Sequence, residues 1–315
     1  MARRFRYKDI QLPQLRSFCA AATQNNFTSA ARSLGLSPPT VWEQVRGLER
    51  RLGATLLNRK GRSVELTPEG KLLLGIIQPH INGLDSLEKL FEAQRAELPQ
   101  RLVVSSTPNM LSYHLVAPVR RFMEKYPSVC LNLKPNVRVE EAARVVERNE
   151  ADLGVVPYFP ALQNIAALEY EPLFDMDLML LTAVDHPLAK LKKVTPQDLV
   201  QYPLIMGLDG THSRAALERI LRRNNLLEQV QLVMETSHAE VIRNYVSAGI
   251  GVAVLFVAPE LGKQSVPLHQ RVFDAKVESL PVGIVYRRGA HLTQVVEEFR
   301  DILRKLLGKA RKPRA

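Results

Sequence analysis

The chain has 315 residues, 46% hydrophobic and 24% charged, enough for two or three domains with a sizeable core. Its net charge of +11 is segregated: residues 1–66 carry +8, residues 304–315 carry +6 and the stretch between carries −3. That excludes a uniformly basic surface and favours a polyanion partner at one end of the molecule, the plainer alternative being a solvated basic face.

In chain order, Leu12 to about residue 23 has a helical pattern, with Leu12, Leu15, Phe18, Cys19 and Ala22 on one face. "NNFTSAARSLGLS" then reads as turn, helix, turn, with Thr28 as N-cap and Gly35 as stop. Ser37 caps a third helix whose first residue is Pro38. Val41, Val45, Leu48 and Leu52 form its docking face. At about 100° per residue, Pro39, Glu43, Arg46, Gly47 and Arg50 lie opposite, with Trp42 on the flank. An apolar back and a narrow, basic front are what a recognition helix needs to enter a major groove. "LLNRKGRSVELT" follows as a two-stranded wing with Arg59, Lys60 and Arg62 around Gly61, suited to phosphates or the minor groove.

A long helix is expected next, with Thr67 as N-cap, Pro68 in the first turn and Glu69 favoured by the helix dipole. Leu73, Ile77, His80, Leu84, Leu87 and Phe91 recur on it at heptad steps, a seam for pairing two chains or, alternatively, core. Pro79 within it predicts a kink. From Arg101 short apolar strands alternate with amphipathic helices: "RLVVSS", the helix "NMLSYHLVAPVRRFMEKYP", "VCLNLKP", the helix "RVEEAARVVERNE", "ADLGVV", then "LMLLTAV", "YPLIMG", "VQLVMET", "GVAVLF" and "PVGIVYR". This is an α/β pattern, best divided into two subdomains with ligands at the strand ends between them. Cys19 and Cys130, the only cysteines, fall in apolar runs and are expected to be buried and reduced, as suits a cytoplasmic protein. No run of about 18 apolar residues predicts a membrane span, and "MARRFRYKDIQLPQ" has no apolar stretch of the secretory kind after its arginines.

"FTSAARSLGLSPPTVWEQVRGLERRLGATLLNRKGRSVELTPEG" resembles the N-terminal signature of the LysR-type transcriptional regulators. "VAPVRRFMEKYPSVCLNL", "ADLGVV", "DHPLAKLKKVTPQDLVQYPLI" and "VSAGIGVAVLF" extend that resemblance over nearly the whole chain. "SSTPNMLSYHLVAPVRRFMEKYP" and "HAEVIRNYVSAGIGV" are most similar to the branch that regulates sulfur assimilation. The resemblance implies a winged helix-turn-helix over 1–66 and a linker and dimerisation helix over 67–98. An α/β effector domain like the periplasmic binding proteins would follow over 99–303, with one subdomain at about 99–172 and 275–303 and the other at about 173–274. Residues 304–315 would form a basic tail. It further implies double-stranded operator DNA, a small inducer, and a homodimer or homotetramer. Trp42 and Glu43 depart from the family pattern, which puts the operator's base sequence in question.

Arg46 and Arg50 can fork onto guanine or phosphate; the plainer alternative is a helix pair of Arg46 with Glu43 or Arg50. Glu43 can accept from a cytosine amino group or merely shape the arginines. Pro39 and Thr40 suit thymine methyls, Ser37 a phosphate, and Trp42 packing against the first helix. Ser105–Asn109 and Gly210–Ser213 each end a strand and open a helix, an arrangement that presents N–H groups and hydroxyls to an anion or, more plainly, caps the helix. Similarity to the family supports Ser106, Thr107 and Thr211 as effector contacts, with Asn109, Val156, His212 and Thr236 as further candidates. No catalytic or metal motif and no cofactor fingerprint is present, so an enzyme is not expected. A solute-binding or enzyme domain fused to a DNA-binding module is the alternative.

Overall fold

The computed structural model describes residues 10–61, 63–95, 101–258, 266–273 and 279–308. They fold as two units: the first holds the described residues up to Arg95 with Gln163–Glu169 and Tyr286–Thr293, and the second holds the rest.

In the first unit, α1 (Leu12–Gln24), α2 (Phe27–Leu34) and α3 (Pro38–Leu52) precede a hairpin of β1 (Leu57–Lys60) and β2 (Ser63–Leu66), then α4 (Pro68–Arg95). The caps are local. Ser37 Oγ accepts from the Thr40 N–H, and Gly53, at a positive φ of 66° that side chains disfavour, ends α3. The α2 cap is Asn26 rather than Thr28: its carboxamide accepts from the N–H groups of Thr28 at 2.8 Å and Ser29 at 3.0 Å. Phe18, Val41, Val45 and Leu48 form the core with Leu56, Val64, Ile77 and Ile81. Leu52, expected in this core, is 40% exposed. Glu49 is buried there instead, because the chain turns back at Gly53 and brings the N–H groups of Leu56 and Leu57 onto its carboxylate. Gly47 faces α1 rather than solvent: a Cβ there would lie 2.9 Å from Gln14 Nε2.

The linker helix corrects the expected seam. It runs through Pro79 as one helix. Leu74, Ile77 and Ile81 dock on the three-helix core, so Ile77 is not available for pairing. The exposed apolar stripe is Leu72, Ile76, His80, Leu84, Leu87 and Phe91, rotated by one residue at its start from Leu73 and Ile77. The buried side is held by residues far away in sequence. Asn82 Nδ2 donates to the Ala167 and Arg288 carbonyls at 3.2 and 2.9 Å, and Ser86 Oγ accepts from the His291 N–H at 3.1 Å. Gly289, at a φ of 71°, lies so close that a Cβ would sit 2.6 Å from the Pro79 carbonyl oxygen.

From Arg101 the chain runs β3 (Arg101–Ser106), a π-helical turn (Met110–His114), α5 (Val116–Lys125), β4 (Cys130–Pro135), α6 (Val139–Glu147), β5 (Leu153–Pro157) and β6 (Leu168–Thr182). Then come α7 (Pro187–Lys190), α8 (Pro196–Leu199), β7 (Leu204–Met206), α9 (His212–Arg223), β8 (Leu232–Glu235), α10 (Ala239–Ser247), β9 (Ala253–Val257), β10 (His269–Val272), β11 (Leu280–Arg287) and α11 (Gln294–Leu307). The main sheet has the order β10-β6-β11-β5-β3-β4, with β9 also on β6. β3 is parallel to β4 and β5, β11 is antiparallel to β5, and β7 and β8 form a separate parallel pair. Along β6, Leu178 and Leu180 face one core and Met179 and Leu181 another, which is why this strand reads as a continuous apolar run.

Several expectations change. The helix expected from Asn109 onward is two elements, because the Leu115 N–H reaches back five residues to the Met110 carbonyl at 3.0 Å. β6 begins ten residues before the strand read from "LMLLTAV". β10, whose run "HQRV" has a single aliphatic residue and no apolar pattern, adds a strand to those expected, and Arg304 belongs to α11 and pairs with Glu171 instead of opening a tail. Cys19 is buried, but Cys130 is exposed, at the start of the edge strand β4.

Candidate nucleic-acid interface and ligand site

On the outer face of α3, Pro39, Trp42, Glu43, Arg46 and Arg50 are exposed, and Ser37 and Thr40 share a 2.7 Å hydroxyl contact at its start. Trp42, expected against α1, is 43% exposed. Gln44 and Gly47 occupy the side that meets α1, where Ser17 donates to the Gln44 carboxamide. Trp42 instead carries Arg46, whose guanidinium carbon lies 5.3 Å from the ring centre. Arg46 also pairs with Glu49 at 3.0 Å, neither with Glu43 nor with Arg50. One arginine on the face is thus braced from two sides, while the buried Glu49 ties the same turn to the start of the wing. In the wing, Arg59 Nε donates to the Gly61 carbonyl at 3.1 Å and Lys60 pairs with Glu65 at 2.8 Å. Arg62 lies outside the described residues.

In the second unit most of the residues singled out for a ligand lie at or just beyond strand ends, though not all with free hydroxyls. Ser105 and Ser106 are fully buried. Ser105 Oγ donates to the Ala142 carbonyl at 2.9 Å and accepts from Asn136 Nδ2; Ser106 Oγ donates to the Val155 carbonyl, beside the buried Val156. Thr107 is 9% exposed, with a long 3.5 Å contact from the Met110 N–H, and Asn109 is half-buried. Thr211 caps α9 by position, but its Oγ1 makes no cap bond and is buried without a hydrogen-bond partner among the described residues. Gly207 leaves the room it occupies, since a Cβ there would stand 2.4 Å from that oxygen. Burial lowers the His212 pKa, opposed by the Glu140 carboxylate and by a hydrogen bond to the Tyr158 backbone. The start of α9 therefore meets the end of β5. Thr236 lies at the end of β8, its N–H on the Met206 carbonyl and its hydroxyl taken by the His238 N–H. Ser213 Oγ accepts from the Phe256 N–H at 2.9 Å. Among the described residues no group of His, Cys, Asp and Glu could hold a metal ion, and no helix is long and apolar enough to cross a membrane.

A winged helix-turn-helix with a basic outer face, joined through a long helix to an α/β unit with helix starts at its strand ends, defines a DNA-binding regulator with a ligand-binding domain. Residues 12–71 match the family described as "Bacterial regulatory helix-turn-helix protein, lysR family", and residues 95–308 match "LysR substrate binding domain". The chain belongs to the LysR family of transcriptional regulators. It is 28% identical to the HTH-type transcriptional regulator CysB of Burkholderia cenocepacia, over 97% of this chain and 98% of that protein. It is 29% identical to the RuBisCO operon transcriptional regulator of Allochromatium vinosum, over 93% and 95%. The similarity to the sulfur branch is thus matched by another branch. Among solved structures, HinK, a LysR family transcriptional regulator from Pseudomonas aeruginosa, shares the fold with a TM-score of 0.55 at 21% identity, over 96% of this chain and 100% of that one.

Proposed function

We propose that this regulator grips double-stranded operator DNA with α3 and the wing, acts in the cytoplasm as a homodimer or homotetramer, and answers to a small anionic effector in its α/β unit. Ser37, Pro39, Thr40, Glu43, Arg46 and Arg50 would meet the major groove, and Arg59, Lys60 and Arg62 the flanking phosphates. Support comes from the braced Arg46, which presents its guanidinium with little freedom left to lose on binding. Copies would pair along Leu72, Ile76, Leu84, Leu87 and Phe91, an apolar stripe uncovered among the described residues of the chain.

The effector reading rests on the start of α9 meeting the end of β5, with the unengaged Thr211 hydroxyl beside it. Thr107, Asn109, His212 and Thr236 would line the same region, with the buried Ser106 and Val156 supporting it from beneath, and the helix start favours a negative charge. Two assays test this together. Gel shifts on the DNA upstream of the gene and its neighbour should find a bound sequence. Thermal shift against carboxylates, sulfate, thiosulfate and acetylated amino acids should find a stabilising anion whose effect Thr107→Val reduces while DNA binding stays. A stabilising ligand that acts equally on wild type and mutant would remove Thr107 from the site.

A further inference from the structure

The hydroxyls and helix starts of the candidate effector site carry no formal positive charge, yet the second unit holds a buried cation. Two arginines are buried among the described residues, Arg243 and Arg287. Arg287 is engaged. Arg243, one turn into α10, is 7% exposed, and its Nε has no hydrogen-bond partner among the described residues. No ion pair to it forms among them either; burial disfavours its charge, and Glu240, one turn back, only partly offsets this from a distance. Its guanidinium carbon lies 5.3 Å from the centre of the Tyr113 ring. Tyr113 and His114 close the π-helical turn that follows β3. The Tyr113 hydroxyl and His114 Nδ1 are likewise buried without partners among the described residues. The His114 ring packs against Phe174 with ring centres 5.2 Å apart. Burial, and then the field of Arg243, lower the His114 pKa to about 4, so this imidazole is neutral near pH 7.

A buried guanidinium with an unused Nε–H donor is costly unless an anion compensates it. Beside it stand a phenol that can donate, a neutral imidazole and an aromatic wall. The π turn brings the two ring-bearing residues together at one end, and they meet Arg243 from α10. Guanidinium donors match paired oxygens, and the phenol can add a third bond. We infer that Arg243, Tyr113 and His114 form the charged anchor for one compact oxyanion, either a carboxylate or a tetrahedral inorganic anion. This rests on the effector reading above and names the residue that supplies its countercharge. The competing account is a purely structural cation–π contact.

The two accounts separate in the full-length chain. Sulfate and acetate are titrated in turn by calorimetry and thermal shift, with chloride holding ionic strength constant. The anchor requires that at least one raises the melting temperature. Arg243→Met should weaken that anion about ten- to a hundredfold and Tyr113→Phe several-fold. Without anion, Arg243→Met should melt no lower than wild type, because it removes an uncompensated charge. A response to sulfate alone assigns an inorganic anion; a response to acetate alone assigns a carboxylate. The inference is overturned if neither anion stabilises wild type, or if Arg243→Met keeps the full response and merely melts lower. Thr107→Val distinguishes the underlying reading. Loss of response there with Arg243→Met unaffected retires the anchor and keeps the hydroxyl site; the reverse keeps the anchor and retires Thr107.

Discussion

Removal of the Glu49 carboxylate should uncouple the recognition helix from the wing. Its Oε1 accepts from the N–H groups of Leu56 at 2.8 Å and Leu57 at 3.2 Å, both buried, and its Oε2 holds Arg46 at 3.0 Å. Glu49→Ala leaves two buried donors unpaired. At about 1–3 kcal/mol each, the loss is roughly 2–6 kcal/mol, against the 5–15 kcal/mol that hold a typical domain. The Arg46 pair adds little, since its guanidinium is half exposed. Glu49→Gln keeps an acceptor for the backbone but turns an amide toward Arg46, so it should cost about 1–2 kcal/mol and act mainly on DNA affinity. The single tryptophan, Trp42, sits in this unit, so its fluorescence during urea unfolding reports the unit directly. Glu49→Ala should lower the urea midpoint clearly and Glu49→Gln only slightly. An unchanged midpoint for Glu49→Ala, or greater damage from Glu49→Gln, would refute the anchoring role.

Operator affinity should fall steeply with salt, with about −0.9 in the log–log slope for each phosphate gripped, and Arg62→Ala should weaken all sequences alike. A mutant that changed only the preferred sequence would contradict the wing's role. Ile76→Asp or Leu87→Asp should give folded monomers by light scattering, whereas Ile77→Asp should unfold the first unit at a cost of several kcal/mol; persistent dimers in the first two would place pairing elsewhere. His114, lowered to about 4 in the folded chain from an ordinary 6.5, binds fewer protons folded than unfolded between those values. Stability should therefore be full above about pH 6.5 and fall by about 3 kcal/mol as pH drops to about 4, a slope that His114→Asn should flatten in denaturant titrations. Gly207→Ala should displace Thr211 and abolish any anion-induced thermal shift, with DNA binding retained.

The short-range features were legible because their causes are short-range. Ser37 with Pro38, Gly35, Gly53 and Thr67 set helix ends through bonds that span three or four residues, and the basic turn of the wing closes within one hairpin. The alternation after Arg101 implied an α/β unit for the same reason. Tertiary structure decided what depends on distant partners. α4 carries two adjacent apolar stripes, and which one is core depends on docking against α1–α3 and on the grip of Ala167, Arg288 and His291. Glu49 takes the core place expected of Leu52, because a carboxylate with two backbone donors is cheaper to bury than its charge suggests. Ser106 read as a ligand hydroxyl, but its donor is engaged by β5, a neighbour nearly fifty residues away in sequence. Arg243 and Tyr113 meet across 130 positions, so no local pattern could pair them; only the packed fold brings a guanidinium, a phenol and an imidazole to one place.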